Sequence, residues 1–241
     1  MKTRGIAILL AAFAAALMIL GYPISSDSAN SILDRATNVN GGGKTRSEIA
    51  APSAHDQRIG GVTRTQASVE GVIHGRARDL SRDLPVYQNE EVTTGTNARA
   101  VLRFNDGSVL TIGAEAEVVL DKFVYGNSGG VITLLKGALR FTSGKMGRPG
   151  LLIKMPTATI GIRGTDFWAG EMQGGHGVML LHGEVDVFNP AGKVTLRKAY
   201  EGTVMAGADE APGPPTIWGE SQQKKALAGL SFTSSPLCAM L

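Results

Sequence analysis

The length of the apolar runs limits this sequence most, because between residues 99 and 197 each run is cut short by a turn residue at strand length. The runs fall at 99–104, 109–112, 116–120, 131–135, 138–142, 151–155, 167–171, 178–181, 184–188 and 194–197. Turn residues return about every 8–12 positions, the spacing of an all-β sandwich, barrel or solenoid. Two of the runs flank Asn105-Asp106-Gly107. Asp and Gly tolerate positive φ, so this segment predicts a hairpin. Elsewhere two runs meet at one glycine: Leu135-Lys136-Gly137-Ala138 lines up with Leu181-His182-Gly183-Glu184, and more loosely with the stretch around Gly71. A residue without Cβ suits a sheet corner at such a point. The expectation is an all-β fold of short strands, wound or stacked into a solenoid-like, twisted β-roll.

Both ends of the chain differ from this middle. Lys2 and Arg4 precede an unbroken apolar run from Ile6 to Leu20; Pro23 and the small residues Ser26, Ser28 and Ala29 follow. That is the three-part layout of a secretory signal peptide, here 1–28. The run is short of the roughly twenty residues that span a bilayer, so an uncleaved signal anchor is the alternative. Residues 29–58 are rich in Ser, Asn, Gly and Ala and read as a flexible linker. After a folded domain at 59–206 comes a tail, 207–241, that opens with Gly and Pro and offers one short helix near 220–227. The expected location is the periplasm or the exterior, with membrane contact only if the first segment is retained.

Composition removes several functions. A formal charge of +3, spread along the chain, gives no footprint for nucleic acid. The densest basic stretch, 58–82, is interrupted by Glu70 and Asp79 and reads as a solvated face. The single cysteine, Cys238, allows neither an internal disulfide nor a cysteine zinc cluster. Gly126-Asn127-Ser128-Gly129-Gly130 resembles the nucleophile loop of chymotrypsin-like proteases, yet Asn127 stands where that family has Asp, and neither His55 nor His74 has the context of a catalytic base. His182 and Glu184, read as sharing one strand face near His176, lack the spacing of a metal site. No enzyme, metal or cofactor is expected.

Three elements in order resemble the FecR domain family: Gly71 to Gly75 with Gly95 after 91–94; Asp106-Gly107-Ser108 with its following strand; and Arg163-Gly164-Thr165-Asp166, between the Gly137 and Gly183 bends. These positions are read as structural. The five donors of Arg163 can tie several carbonyls, or a carboxylate such as Asp166, with partner contact as the alternative. The resemblance implies a periplasmic signalling domain. Its relatives receive a siderophore-uptake signal from a TonB-dependent transporter and control a sigma factor through a cytoplasmic segment. Only a few residues precede the apolar run here, so the expectation is a stand-alone exported form. It would bind another envelope protein and sense a signal without catalysis. The alternative is a structural scaffold of the cell envelope or surface.

Overall fold

The computed structural model describes residues 56–123, 129–144 and 150–232. The expected signal segment, nearly all of the expected linker, Ser128 of the Gly-rich loop and Cys238 lie outside them. The described chain forms eighteen strands and one helix, numbered along the sequence. The first sheet contains β1 (Arg58–Gln66), β4 (Pro85–Tyr87), β6 (Arg99–Phe104), β7 (Val109–Ile112), β10 (Ala138–Thr142), β13 (Asp166–Met172), β14 (Gly175–His182), β17 (Glu201–Met205) and β18 (Thr216–Ile217). The second contains β2 (Val69–Ile73), β3 (Arg76–Asp79), β5 (Glu91–Thr94), β8 (Glu117–Phe123), β9 (Gly130–Lys136), β11 (Leu151–Lys154), β12 (Thr159–Ile162), β15 (Val185–Asn189) and β16 (Gly192–Leu196).

The chain therefore passes back and forth between two sheets, and neither sheet closes on itself. The first runs β18-β17-β14-β13-β10-β7-β6-β1-β4, the second β16-β15-β12-β11-β9-β8-β5-β2-β3. Apart from the edge strands β3 and β4, spatial order follows chain order. Neighbours are antiparallel except β9 and β11, which run parallel because β10 is spent in the other sheet between them.

Period-two patterning explains how the sheets face each other. Side chains of β5, β7 and β9 alternate between buried and half-buried, so each strand offers one face inward. Leu102, Leu110 and Phe141 of the first sheet share one core with Val118, Ile132 and Val187 of the second. Phe141 and Phe167 stand opposite each other on β10 and β13, ring centroids 6.1 Å apart. Burying each such side chain is worth about 1.5–3 kcal/mol.

A second apolar layer lies on the outer face of the first sheet. Trp168 and Met179 form it with Trp218, Ala226 and Leu230, which come from the C-terminal segment and its helix α1 (Glu220–Ala228). The indoles of Trp168 and Trp218 meet edge to face at 5.9 Å. A Cβ on Gly202 would overlap the Trp218 ring, so the sheet leaves a notch there for the indole. The chain beyond Ala206 thus joins the folded body, held also by β18 on β17 and by the Thr203 hydroxyl donating to the Gly213 carbonyl at 2.7 Å.

At the opposite edge, a buried ion pair ties β3 to β4. Arg78 Nε donates to Glu90 Oε1 at 2.9 Å, and Nη2 donates to Glu90 Oε2 at 3.0 Å and to the Pro85 carbonyl at 2.6 Å. The Tyr87 N–H donates to Glu90 Oε2 at 2.9 Å. Gly71 lies against this carboxylate, where a Cβ would overlap Glu90 Oε1. The basic stretch read as a solvated face is therefore not one throughout, because Arg78 is enclosed with its partner. Burial pushes the Glu90 carboxyl above its usual range, against the opposing pull of the Tyr87 N–H and Arg78.

Two outcomes follow for urea unfolding. Arg78→Ala strands a buried carboxylate and is expected to cost about 3–5 kcal/mol, whereas Arg78→Met with Glu90→Leu recovers most of that loss. A raised folded-state pKa means that the stability from Glu90 is full below its unfolded value near 4.5 and is lost as pH rises through the folded value. The difference in stability between wild type and Glu90→Gln should therefore shift against wild type as pH climbs above 4.5.

Candidate functional site

One end of the sandwich gathers most of the motif residues into a ridge of stacked turns. The Asp106 carboxylate accepts from the Ser108 N–H at 3.0 Å and from the Ser108 hydroxyl at 2.9 Å, closing the β6–β7 hairpin. The Ser108 hydroxyl oxygen in turn accepts from the Gly144 N–H of the next turn at 3.1 Å. That turn binds its own neighbour: the Ser143 N–H donates to the Thr165 carbonyl at 2.8 Å, and the Thr165 N–H donates to the Ser143 hydroxyl at 2.9 Å. Gly183 completes the row with φ 89°, and a Cβ there would overlap the Gly164 carbonyl oxygen. Three turns from distant parts of the chain and a fourth at Gly183 are thus locked by backbone contacts.

A shallow depression of about 380 Å³ opens on this ridge, lined by Thr142, Ser143, Thr165, Asp166 and His182 among others. Its carboxylate is tightly held: Arg140 donates to Asp166 through Nε at 2.8 Å and Nη2 at 2.6 Å. This two-pronged hydrogen bond raises the Arg140 guanidinium above its ordinary value, against the effect of burial. Arg163 has a different partner from the one expected. Its guanidinium lies 3.4 Å from Asp186, with the side chain 67% exposed, so it neither buries itself among turns nor reaches Asp166. The carboxylate is Asp186 and not Asp166 because Asp166 begins β13, whose register sets it beside Thr142 and brings Arg140 within reach. Burial alone would raise the Asp186 carboxyl, but hydrogen bonds from Thr195 and Lys193 and the charges of Lys193 and Arg163 together bring it below its usual value.

Other singled-out residues lie away from the ridge. Gly137, with φ 84°, turns the chain from β9 to β10 at the opposite end of the sandwich, beside the Glu171 backbone and carboxylate. Gly95 is at that end too, its N–H donating to the Ser68 carbonyl at 3.1 Å. Gly75 shares a tight β2–β3 turn with His74, both with positive φ. Gly71 is not a corner at all; it lies inside β2, and the corresponding corner is at Ala67, with φ 54°. His182 and Glu184 do not share a strand face either. Gly183 separates them, His182 ending β14 and Glu184 pairing with Arg197 at 3.2 Å. Among the described residues, no three His, Cys, Asp or Glu side chains gather in a metal-binding arrangement. Sequence reasoning missed Ser143, Gly144, Arg140 and Glu90; Arg140 and Asp166 sit diagonally across β10 and β13, a relation visible only once register is known.

With this geometry in place, comparison with known families decides the domain. A family model described as FecR protein matches residues 90–186. This chain carries a FecR domain. The FecR match starts at the buried Glu90, ends at Asp186, and includes the whole ridge and both glycine corners, while β1–β4 and β16–β18 complete its sheets from outside. The fold is similar to two crystal structures, at 2.50 Å and 1.65 Å, of an anti-sigma factor candidate from Parabacteroides distasonis ATCC 8503. Each shows 18% identity and a TM-score of 0.48, over 62% of this chain and 70% of that one. No curated protein matches.

The ridge separates two kinds of glycine. Gly183→Ala combines a left-handed backbone with overlap against Gly164 and should cost about 2–4 kcal/mol in urea unfolding. Gly164→Ala, also at positive φ but facing open space, should cost about 1–2 kcal/mol.

Proposed function

We propose that this FecR-domain chain acts outside the cytoplasm as a non-catalytic module that senses a signal by binding another protein of the cell envelope. The FecR match over residues 90–186 carries this reading, since it covers the ridge on which the motif residues converge. The motif side chains there are engaged in holding turns: Asp106 binds Ser108, Ser108 binds Gly144, and Asp166 binds Arg140. What remains outward is a charged surface beside the ridge, with Arg163, Lys193 and Arg197 largely exposed. Exposed Arg in a rigid setting is a common anchor for protein contacts. The basic start and apolar run of the first twenty residues support export. We read the passage of the chain between its two sheets as a solenoid-like, twisted β-roll, with the ridge at one of its ends.

Site-specific photo-crosslinking in the native host tests the reading. A photoreactive residue at position 163 should yield one discrete adduct in the envelope fraction, while one at position 224 on α1 should not. Recovery of the chain in the cytosol, or adducts with bulk wall material alone, would overturn it; the latter outcome is what a purely structural scaffold would give.

A further inference from the structure

A cavity of about 590 Å³ lies between α1 and the β13–β14 end of the first sheet, away from the ridge. Its apolar walls come from Trp168, Met172 and Trp218. Polar groups from Glu171, Gln222 and Lys225 rim it. The volume and the mixture, a mostly apolar lining with a few polar groups, are those of a small-molecule pocket. Two details say what such a molecule would carry. The Glu171 carboxylate is committed to the Gly137 N–H at 3.0 Å, whereas among the described residues Lys225 forms no ion pair, leaving its ammonium available to an incoming anion. The second is the Trp168 Nε1–H, which is buried without a hydrogen-bond acceptor in a side chain only 2% exposed. An acceptor that reached it would gain a hydrogen bond without displacing another.

We propose that this cavity binds a small amphiphile, an apolar body packed against Met172 and the rims of the two indoles, with a carboxylate-type anionic group directed to Lys225. The indoles touch each other edge to face and are only 2% and 3% exposed, so their rims, with Met172, offer a rigid apolar contact to a chain-like body. The ammonium at the rim lets the anion stay partly hydrated, which keeps its desolvation cost low. The site is built by the C-terminal segment, since Trp218 and α1 form one wall and the sheet forms the other.

The chain has two Trp residues and both line this cavity, so intrinsic fluorescence reports on it alone. Titration of the full chain with 4-phenylbutyrate, excited at a wavelength selective for Trp, should shift the emission saturably, with half-saturation below about 1 mM, a threshold set on the affinity scale. The neutral 4-phenylbutyramide should bind about five- to tenfold more weakly, as expected for loss of one charge-assisted contact. Lys225→Gln, on an exposed helix face, should fold normally and remove that preference while the amide binds as before. An absent or unsaturable response, or a carboxylate preference unchanged in Lys225→Gln, would overturn the proposal.

Discussion

At three of the points where the chain changes sheet, a glycine brings the backbone close against a neighbouring segment. At Gly183 the neighbour is the Gly164 carbonyl, at Gly144 it is Asp106, and at Gly137 it is Ala116. These contacts fix how far apart the turns stand, and through them how the strands that leave the turns are aligned. The hydrogen bonds between the Asp106, Ser143 and Thr165 turns then join segments nearly sixty residues apart in sequence. Between the sheets the core fills with Val, Ile, Leu and Phe.

Paired charges enter this framework at one sheet edge and on one outer face. Arg78 and Glu90 satisfy each other at one edge, with Tyr87 and Pro85 supplying the remaining partners. On the outer face of the first sheet, Arg140 and Asp166 do the same on the central strands β10 and β13, at the foot of the ridge. Buried or half-buried charges are tolerated in both places because each has a partner at hydrogen-bond distance. The motif carboxylates of the ridge are thus engaged within the fold, and the exposed charges are those beside them.

Strand positions were most legible in the sequence where a strand has one buried face, as in β6, β7 and β10. The alternation through Val109–Ile112 and Ala138–Thr142, and the Asp106-Gly107 turn between two apolar runs, could be read without coordinates. Sheet membership was not legible, since nothing local in Ala138–Thr142 says that it leaves the sheet of Gly130–Lys136. The same gap explains Arg163: its partner Asp186 lies on β15, which joins β12 by a pairing between strands more than twenty residues apart. Gly71 looked like the other glycine bends but answers to a packed carboxylate instead, a constraint from across the fold that leaves no mark on its own sequence neighbours.

Because strand order climbs with residue number in both sheets, each strand pair has contact chiefly with the pair before and the pair after. With contacts this local, the edge strands are the first to open unless something fastens them. The Arg78–Glu90 clamp seals one terminus and the Trp218 strap seals the other. Fraying is thereby held back at both ends, and cooperativity across the whole length becomes a property of two small fastenings.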